Sequence, residues 1–259
     1  MENNDVIGGM QNSYDICYSD REGNRLLQDT AVILAAAGSS SRFGNPFINK
    51  VYALLGGKPV WQHSADVFAS VACVQQTILV VQAEDREMIR QKFSATVAIM
   101  GIEIIAGGSQ RWESVRNALV KLKPEIQFVA VHDAARPLVS KAEIESVIET
   151  AREHGAAILG EPIFGTVKRT NSEGVIEATV PRERLFQAQT PQVFRRDWLE
   201  KAYASAASMS PPPTDDAQLM EALGHPVRLV AGNAMNVKIT TQADLRWAEV
   251  ALKSRLVAR

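Results

Sequence analysis

The chain has 259 residues, of which 46% are apolar and 22% charged, with a formal net charge of −1. That length suits one α/β domain, and the near-neutral balance excludes a global pull on nucleic acid or anionic membrane, so phosphate affinity must come from local Arg and Lys. No apolar run is long enough to span a bilayer, and Cys17 and Cys73 form neither a metal-ligand spacing nor a disulfide framework.

Residues 1–29 are the one clear shift in composition: polar, bearing Asp5, Asp15, Asp20, Glu22 and Asp29, and lacking an apolar signal core. We expect a flexible extension, followed by a single domain over 30–259 of a cytoplasmic protein. Ala31 to Ala35 then reads as a buried parallel strand. It breaks into Ala36, Ala37, Gly38 and three serines, small residues that let a ligand approach the backbone and whose N–H groups can cradle phosphate. Arg42 and Lys50 bring two cations to the same mouth. The loop is neither familiar glycine motif: Gly38 and Gly44 do not fit G-x-G-x-x-G, and Asn45 stands where a P-loop needs lysine. A plain strand-to-loop transition is the competing reading.

Strand and helix signals then alternate. Cys73, a small buried hydrophobe, precedes a strand at Thr77–Val81 and a helix over Glu84–Phe93; a strand at Ile102–Ala106 is followed by a helix over Arg111–Lys121. Phe128–Val131 is a third strand, the helix Lys141–His154 has Ile144, Val147, Ile148 and Ala151 on one face, and Ala156–Leu159 is strand-like. This order predicts an α/β, Rossmann-like fold, a mainly parallel sheet flanked by helices. Ligands of such sheets sit at the carboxyl ends of the strands, where every polar cluster of this chain falls.

Those clusters carry the chemistry. Gly107 to Ser114 opens a helix, where N–H groups favour anions; the structural alternative is a Gly-Gly turn with Ser109 as N-cap. In His132-Asp133-Ala134-Ala135-Arg136-Pro137, Asp133 and Arg136 can hold a hydroxyl and a phosphate, or bind through a metal, or simply pair with each other. His132 reads as a packing or orienting residue rather than a base. Between residues 162 and 184 the alternation fails: Val167–Thr170, a turn at Asn171–Gly174, and Val175–Val180 form a hairpin too polar to be central. Such an arm is stable only against a partner, which implies a two-fold dimer. The Ser208–Pro213 patch should be a surface loop, Asp215 and Asp216 a helix N-terminus, and Lys238 part of a strand-like segment, Asn236–Thr240.

The motifs AAAGSSSRFG…NK, GGSQRWESV, HDAARP, TVKR, QTPQVF, TDDA and NVKIT, in this order from about Thr30 to the C-terminus, resemble the 2-C-methyl-D-erythritol 4-phosphate cytidylyltransferases. The resemblance implies attack by the methylerythritol phosphate oxygen on the α-phosphate of CTP, with pyrophosphate released. It implies that Ala36, Ala37, Gly38, Gly108, Arg111, Ser114 and Ala134 bind the nucleotide. Arg42, Lys50 and Lys238 would act as the catalytic cations. Asp133, Arg136, Thr166, Arg182 and Thr190 would hold the polyol phosphate, the arm residues coming from the partner of a homodimer. Mg²⁺ is expected, carried mainly by the CTP phosphates with no assigned protein ligand; no nucleic acid or membrane partner is expected. Two features depart from the family pattern: the linker before Lys50 is longer, which leaves the reach of Lys50 open, and Ser109 stands where many members have Asp. A cytidylyltransferase for another polyol phosphate such as ribitol 5-phosphate, and a non-catalytic nucleotide-binding module, are the alternatives; Ala135 leans towards methylerythritol, and the joint presence of Arg42, Lys50 and Lys238 favours catalysis.

Overall fold

The computed structural model describes residues 28–44 and 49–257. Residues 1–27 of the expected extension, Cys17 among them, lie outside the described residues, as does part of the linker before Lys50. In chain order the strands are β1 (Thr30–Ala35), β2 (Leu54–Leu55), β3 (Lys58–Pro59), β4 (Val74–Val81), β5 (Ile102–Ala106), β6 (Phe128–Asp133), β7 (Ala156–Pro162), β8 (Val167–Thr170), β9 (Ile176–Val180), β10 (Phe186–Arg195) and β11 (Arg228–Ala231). The helices are α1 (Val60–Ala69), α2 (Asp85–Lys92), α3 (Ser94–Ile99), α4 (Arg111–Leu119), α5 (Lys141–His154), α6 (Arg196–Ser205), α7 (Asp216–Ala222) and α8 (Gln242–Val257).

Seven strands form one sheet in the order β11-β7-β10-β6-β1-β4-β5. All neighbours are parallel except β10, which runs antiparallel between β6 and β7. The mainly parallel α/β architecture expected from the alternation is therefore the observed one. Successive residues of β1 feed opposite layers: Val32 and Leu34 pack with Phe68, Val147 and Ile148 on one face, and Ala31 and Ile33 with Val115, Leu199 and Tyr203 on the other. That double burial explains why the strand reads as a continuous apolar run.

Local chemistry sets the helix ends. Ser140 Oγ accepts the Glu143 N–H, and Glu143 Oε2 accepts the Ser140 N–H at 2.9 Å, a reciprocal cap that starts α5. Gly155, at φ 89°, ends it. A third, smaller cluster packs Phe43, Leu55, Leu138 and Ile239 against Ala248 and Ala251 of α8, fastening the loops around the sheet's carboxyl edge.

Strands β8 and β9 pair only with each other, Val167 opposite Val180, in a separate two-stranded sheet that is mostly exposed. Asn171 Oδ1 closes its turn by accepting from Glu173 N and Val175 N, both at 3.0 Å. Other expectations need adjustment. The segment around Lys238 is a loop, not a strand: it joins no sheet ladder among the described residues, and its Ile239 N–H bonds Ala135 O at 2.8 Å. The Ser208–Pro213 patch follows a short 3-10 turn, Ala206–Ser208, and is then largely exposed loop. Asp29 is buried, its carboxylate taking Arg152 and the Thr30 hydroxyl and its carbonyl two N–H groups at the start of β6.

Candidate active site

A crevice of about 520 Å³ opens at the carboxyl ends of β1, β4, β5 and β6. Ala36, Ala37, Gly38, Lys50, Gly108, Arg111, Ser114, Asp133 and Lys238 all line it. One mouth thus gathers residues from four segments that are far apart in the chain.

The first wall is the loop after β1. Ala36 donates its N–H to Val80 O at 2.8 Å, so the backbone cradle expected there narrows to the residues that follow. Gly38 lines the crevice, and a Cβ added to it would meet, beyond its chain neighbours, no atom of the described residues within 4 Å. Asn49 rejoins the loop beyond the longer linker: its Nδ2 donates to Gly38 O at 3.1 Å, and its Oδ1 accepts from the Ser40 hydroxyl. Lys50 N then donates to Ser40 Oγ at 3.2 Å. These bonds deliver Lys50 to the crevice despite the longer linker. Burial lowers the pKa of the Lys50 ammonium, and neighbouring Lys238 and Arg42 lower it further against the opposite pull of Asp133.

The second wall is the turn into α4. A Cβ on Gly107 would stand 2.6 Å from Ala37 Cβ and 2.7 Å from Ser114 Oγ, so only glycine lets the β1 and β5 loops close together. Ser114 Oγ accepts the Gly108 N–H and donates to Gln110 O, both at 3.1 Å, and thereby fixes the turn. The helix N-cap is Gln110 rather than Ser109, because Glu113 Oε2 reaches back to the Gln110 N–H at 3.0 Å. The Ser109 hydroxyl donates to the same oxygen at 2.6 Å.

The floor is Asp133, at the end of β6. Its Oδ2 lies 3.0 Å from Lys238 Nζ and 3.3 Å from Arg136 Nε, and its Oδ1 lies 3.9 Å from Arg111 Nε. Burial would raise the Asp133 pKa, but Lys238, Arg111 and Arg136 outweigh it and hold the carboxyl well below the usual range. Three lining cations, Lys50, Arg111 and Lys238, outnumber the two lining carboxylates, Glu84 and Asp133, a polarity that suits polyphosphates. The expected ion pair with Arg136 is present. Arg136 itself is buried below the crevice wall, its Nη1 donating to Asn236 O at 2.8 Å.

His132 is fully buried and orients the turn. Its Nε2 lies 3.2 Å from Arg136 O, which can only accept, so the proton sits on Nε2 and Nδ1 accepts from the Thr190 hydroxyl at 3.1 Å. Burial pushes its pKa down to about 4 despite the nearby Asp133, so the ring is neutral at pH 7. Thr190 Oγ1 also accepts the Asp133 N–H at 3.0 Å; its hydroxyl is thus engaged inside the protein. Ala134 is buried under the turn, bonded through its N–H to Ala35 O, and Ala135 lines the crevice instead.

The remaining candidates lie apart. Arg42 is exposed on the 3-10 turn Ser41–Phe43, electrostatically within reach of Lys50 but outside the crevice lining. Thr166 and Arg182 are exposed at the base of the hairpin, where Arg182 Nη1 donates to Phe164 O. Neither lines this chain's crevice. Sequence reading missed three supports: Asn49, the buried Asn236 whose Nδ2 donates to Thr190 O at 2.9 Å, and Asp216, which binds Arg111. Asn236 and Asp216 stand inside motifs already noted, but no local spacing reveals partners 46 and 105 residues away.

Among the described residues no group of three or more His, Cys, Asp or Glu side chains could hold a metal. Asp133, the carboxylate on the floor, is already engaged by Lys238 and Arg136. A divalent ion that keeps its waters and is held by substrate phosphates fits this donor set; a protein cage does not.

The parallel sheet, the small-residue loop after its first strand and the cationic crevice define an α/β nucleotidyltransferase. The family model described as 2-C-methyl-D-erythritol 4-phosphate cytidylyltransferase matches residues 30–254, and the chain belongs to that family. It is 43% identical over 233 residues to the protein of that name from Rhodopirellula baltica, covering 86% of this chain and 94% of that one. It is 37% identical to the one from Alkaliphilus oremlandii, covering 90% and 99%. Among solved structures it resembles the 4-diphosphocytidyl-2C-methyl-D-erythritol synthase of Anaerococcus prevotii, with a TM-score of 0.76, 28% identity and coverage of 87% and 96%. The cytidylyltransferase of Thermus thermophilus superposes with a TM-score of 0.71 at 30% identity, covering 86% of this chain and 98% of that one.

Proposed function

We propose that this protein transfers the cytidylyl group of CTP to 2-C-methyl-D-erythritol 4-phosphate, giving 4-diphosphocytidyl-2-C-methyl-D-erythritol and pyrophosphate for isoprenoid precursor synthesis. Family membership combined with Lys50, Lys238 and Asp133 meeting in one crevice carries this reading. A phosphate oxygen of the polyol phosphate attacks the α-phosphorus of CTP, and the bond to the pyrophosphate oxygen breaks. The attacking group is already an anion, so no general base is needed, which suits a site whose one buried histidine is committed to backbone and Thr190. The work is positioning and charge stabilisation.

In this reading the loops containing Ala36, Ala37 and Gly38, and Gly108 and Ser114, hold the nucleotide. Lys50 and Lys238, with Arg42 from the adjoining turn, stabilise charge on the α-phosphate as it becomes five-coordinate. Asp133, kept ionised by its cationic neighbours, accepts hydroxyls of the polyol. Arg136 and Thr190 act from beneath, fixing Asp133 through Nε and through its backbone N–H. A Mg²⁺ carried by the substrate phosphates would supply further neutralisation of charge there, beside Lys50 and Lys238.

Thr166 and Arg182 cannot serve their own crevice from the hairpin, so the reading assigns them to the crevice of a partner subunit. Exposed Phe164, Val175 and Ile176 on and beside the hairpin support a homodimer built there. Residence in the cytoplasm belongs to the same proposal; among the described residues no helix is long and apolar enough to cross a membrane. Pyrophosphate release from CTP with methylerythritol phosphate, and little with ribitol 5-phosphate, is the expected assay result. Turnover with ribitol 5-phosphate alone overturns the choice of substrate, and a monomeric mass at working concentration overturns the dimer.

A further inference from the structure

We infer that Asp216 is a positioning residue for the acceptor half of the crevice: it keeps the Arg111 guanidinium off Asp133. The inference rests on reading the crevice as the CTP and polyol phosphate site. Arg111 opens α4 and lines the crevice, but both of its terminal nitrogens bond Asp216, which does not line it. Nη1 lies 3.0 Å from Asp216 Oδ1 and Nη2 2.7 Å from Oδ2, a two-pronged pairing of the geometry arginine makes best. Only Nε is left towards Asp133, at 3.9 Å.

Asp216 is built to hold that position. Its side chain is fully buried, and its Oδ1 also accepts the Tyr203 hydroxyl. The backbone at the start of α7 is pinned from β10: Gln192 Oε1 accepts the N–H groups of Asp216 and Ala217, each at 3.0 Å, and Gln192 Nε2 donates to Asp215 Oδ2 at 2.9 Å. Gln192 lies two residues beyond Thr190, whose hydroxyl holds the Asp133 N–H. Both sides of the Arg111–Asp133 gap are therefore referenced to β10.

The gap matters because Asp133 already carries Lys238 and Arg136 on Oδ2. Oδ1 is the oxygen with capacity left for a substrate hydroxyl. An Arg111 released from Asp216 has the same two-pronged fork to offer and a carboxylate 3.9 Å from its Nε to receive it. Closing that gap would occupy the oxygen the polyol needs.

Initial rates of pyrophosphate release at varied CTP and varied methylerythritol phosphate test this in three proteins. Asp216→Asn, which keeps shape and loses charge, is expected to raise the KM for the polyol phosphate at least tenfold, with the KM for CTP within about threefold. The double variant Arg111→Met with Asp216→Asn removes the released guanidinium and is expected to return the polyol KM, read at saturating CTP, to within about fivefold of wild type, whatever the loss of Arg111 does to the KM for CTP. Buried ion pairs replaced on both sides are commonly tolerated, so the double variant stands even if the single one does not fold. A double variant whose polyol KM stays raised tenfold or more overturns the inference, as does a single variant that raises both KM values equally. Wild-type protein that releases no pyrophosphate from these substrates refutes the functional reading itself, and this inference with it.

Discussion

Replacing Thr190 by valine tests how the floor of the crevice is held. Extending the β10–β6 register by two residues from Gln192 opposite Val131 puts Thr190 opposite Asp133. Between them Pro191 has no N–H to give. At that point the threonine hydroxyl replaces a backbone partner: it accepts the Asp133 N–H at 3.0 Å and donates to His132 Nδ1 at 3.1 Å, with all three residues buried. Valine keeps the shape and leaves one donor and one acceptor unpaired. Each such group costs about 1–3 kcal/mol, so the loss is about 2–6 kcal/mol. For a domain of this size, at roughly 2–4 °C per kcal/mol, that lowers the melting temperature by roughly 4–24 °C. Thermal unfolding followed by circular dichroism measures it, with Thr190→Ser as the control that keeps the hydroxyl. A Thr190→Val protein melting within 2 °C of wild type refutes the claim that this hydroxyl secures the turn.

Three further outcomes follow from the same geometry. Lys50→Ala and Lys238→Ala should each lower kcat by about 10²–10³, the usual loss for one transition-state charge partner, with circular dichroism unchanged; near-normal kcat in both removes them from the mechanism. Gly38→Ala should melt like wild type, because the added Cβ meets no atom of the described residues beyond its chain neighbours, yet raise the KM for CTP several-fold if the nucleotide fills that space; an unaltered KM places CTP elsewhere. His132 sets an acid limit on stability. Its folded pKa of about 4 lies below its ordinary 6.5, so the unfolded chain takes up the proton first as the pH falls. Its contribution is complete above pH 6.5 and lost towards pH 4, about 3 kcal/mol in all. Urea midpoints between pH 7 and 4.5 should fall for wild type and fall less for His132→Gln; parallel curves contradict the assignment.

The parallel sheet was legible because β1, β4, β5 and β6 are short apolar runs buried on both faces, each followed by turn formers and a helical period. Helix α5 was legible to the residue from the apolar face of Ile144, Val147, Ile148 and Ala151, and the structure adds the caps, Ser140 with Glu143 and Gly155, that fix its ends. The antiparallel insertion of β10 was not, because an antiparallel and a parallel central strand bury the same apolar residues, and its polar Gln189 and Thr190 look like a loop. Lys238 sits among β-branched neighbours that suggest a strand, yet tertiary bonds from Asn236 and Ile239 hold the segment as a loop. Within the site, the residues that face the ligand space were readable from loop composition. Those that hold them in place, Asn49, Asn236 and Asp216, act over distances that periodicity does not encode. Thr190 illustrates the difference: its motif was visible, while its hydroxyl's commitment to Asp133 and His132 was a matter of three-dimensional register.

The central claim is that the α-phosphate of CTP moves to the polyol phosphate in the crevice shared by Lys50, Lys238 and Asp133. The most direct measurement incubates the protein with methylerythritol phosphate and CTP labelled at either the α- or the γ-phosphate, then separates the products. The account predicts α-label in the cytidine diphosphate ester and γ-label in pyrophosphate, one for one. Label from the γ-position in the polyol product, or α-label released as free cytidine monophosphate, would contradict it.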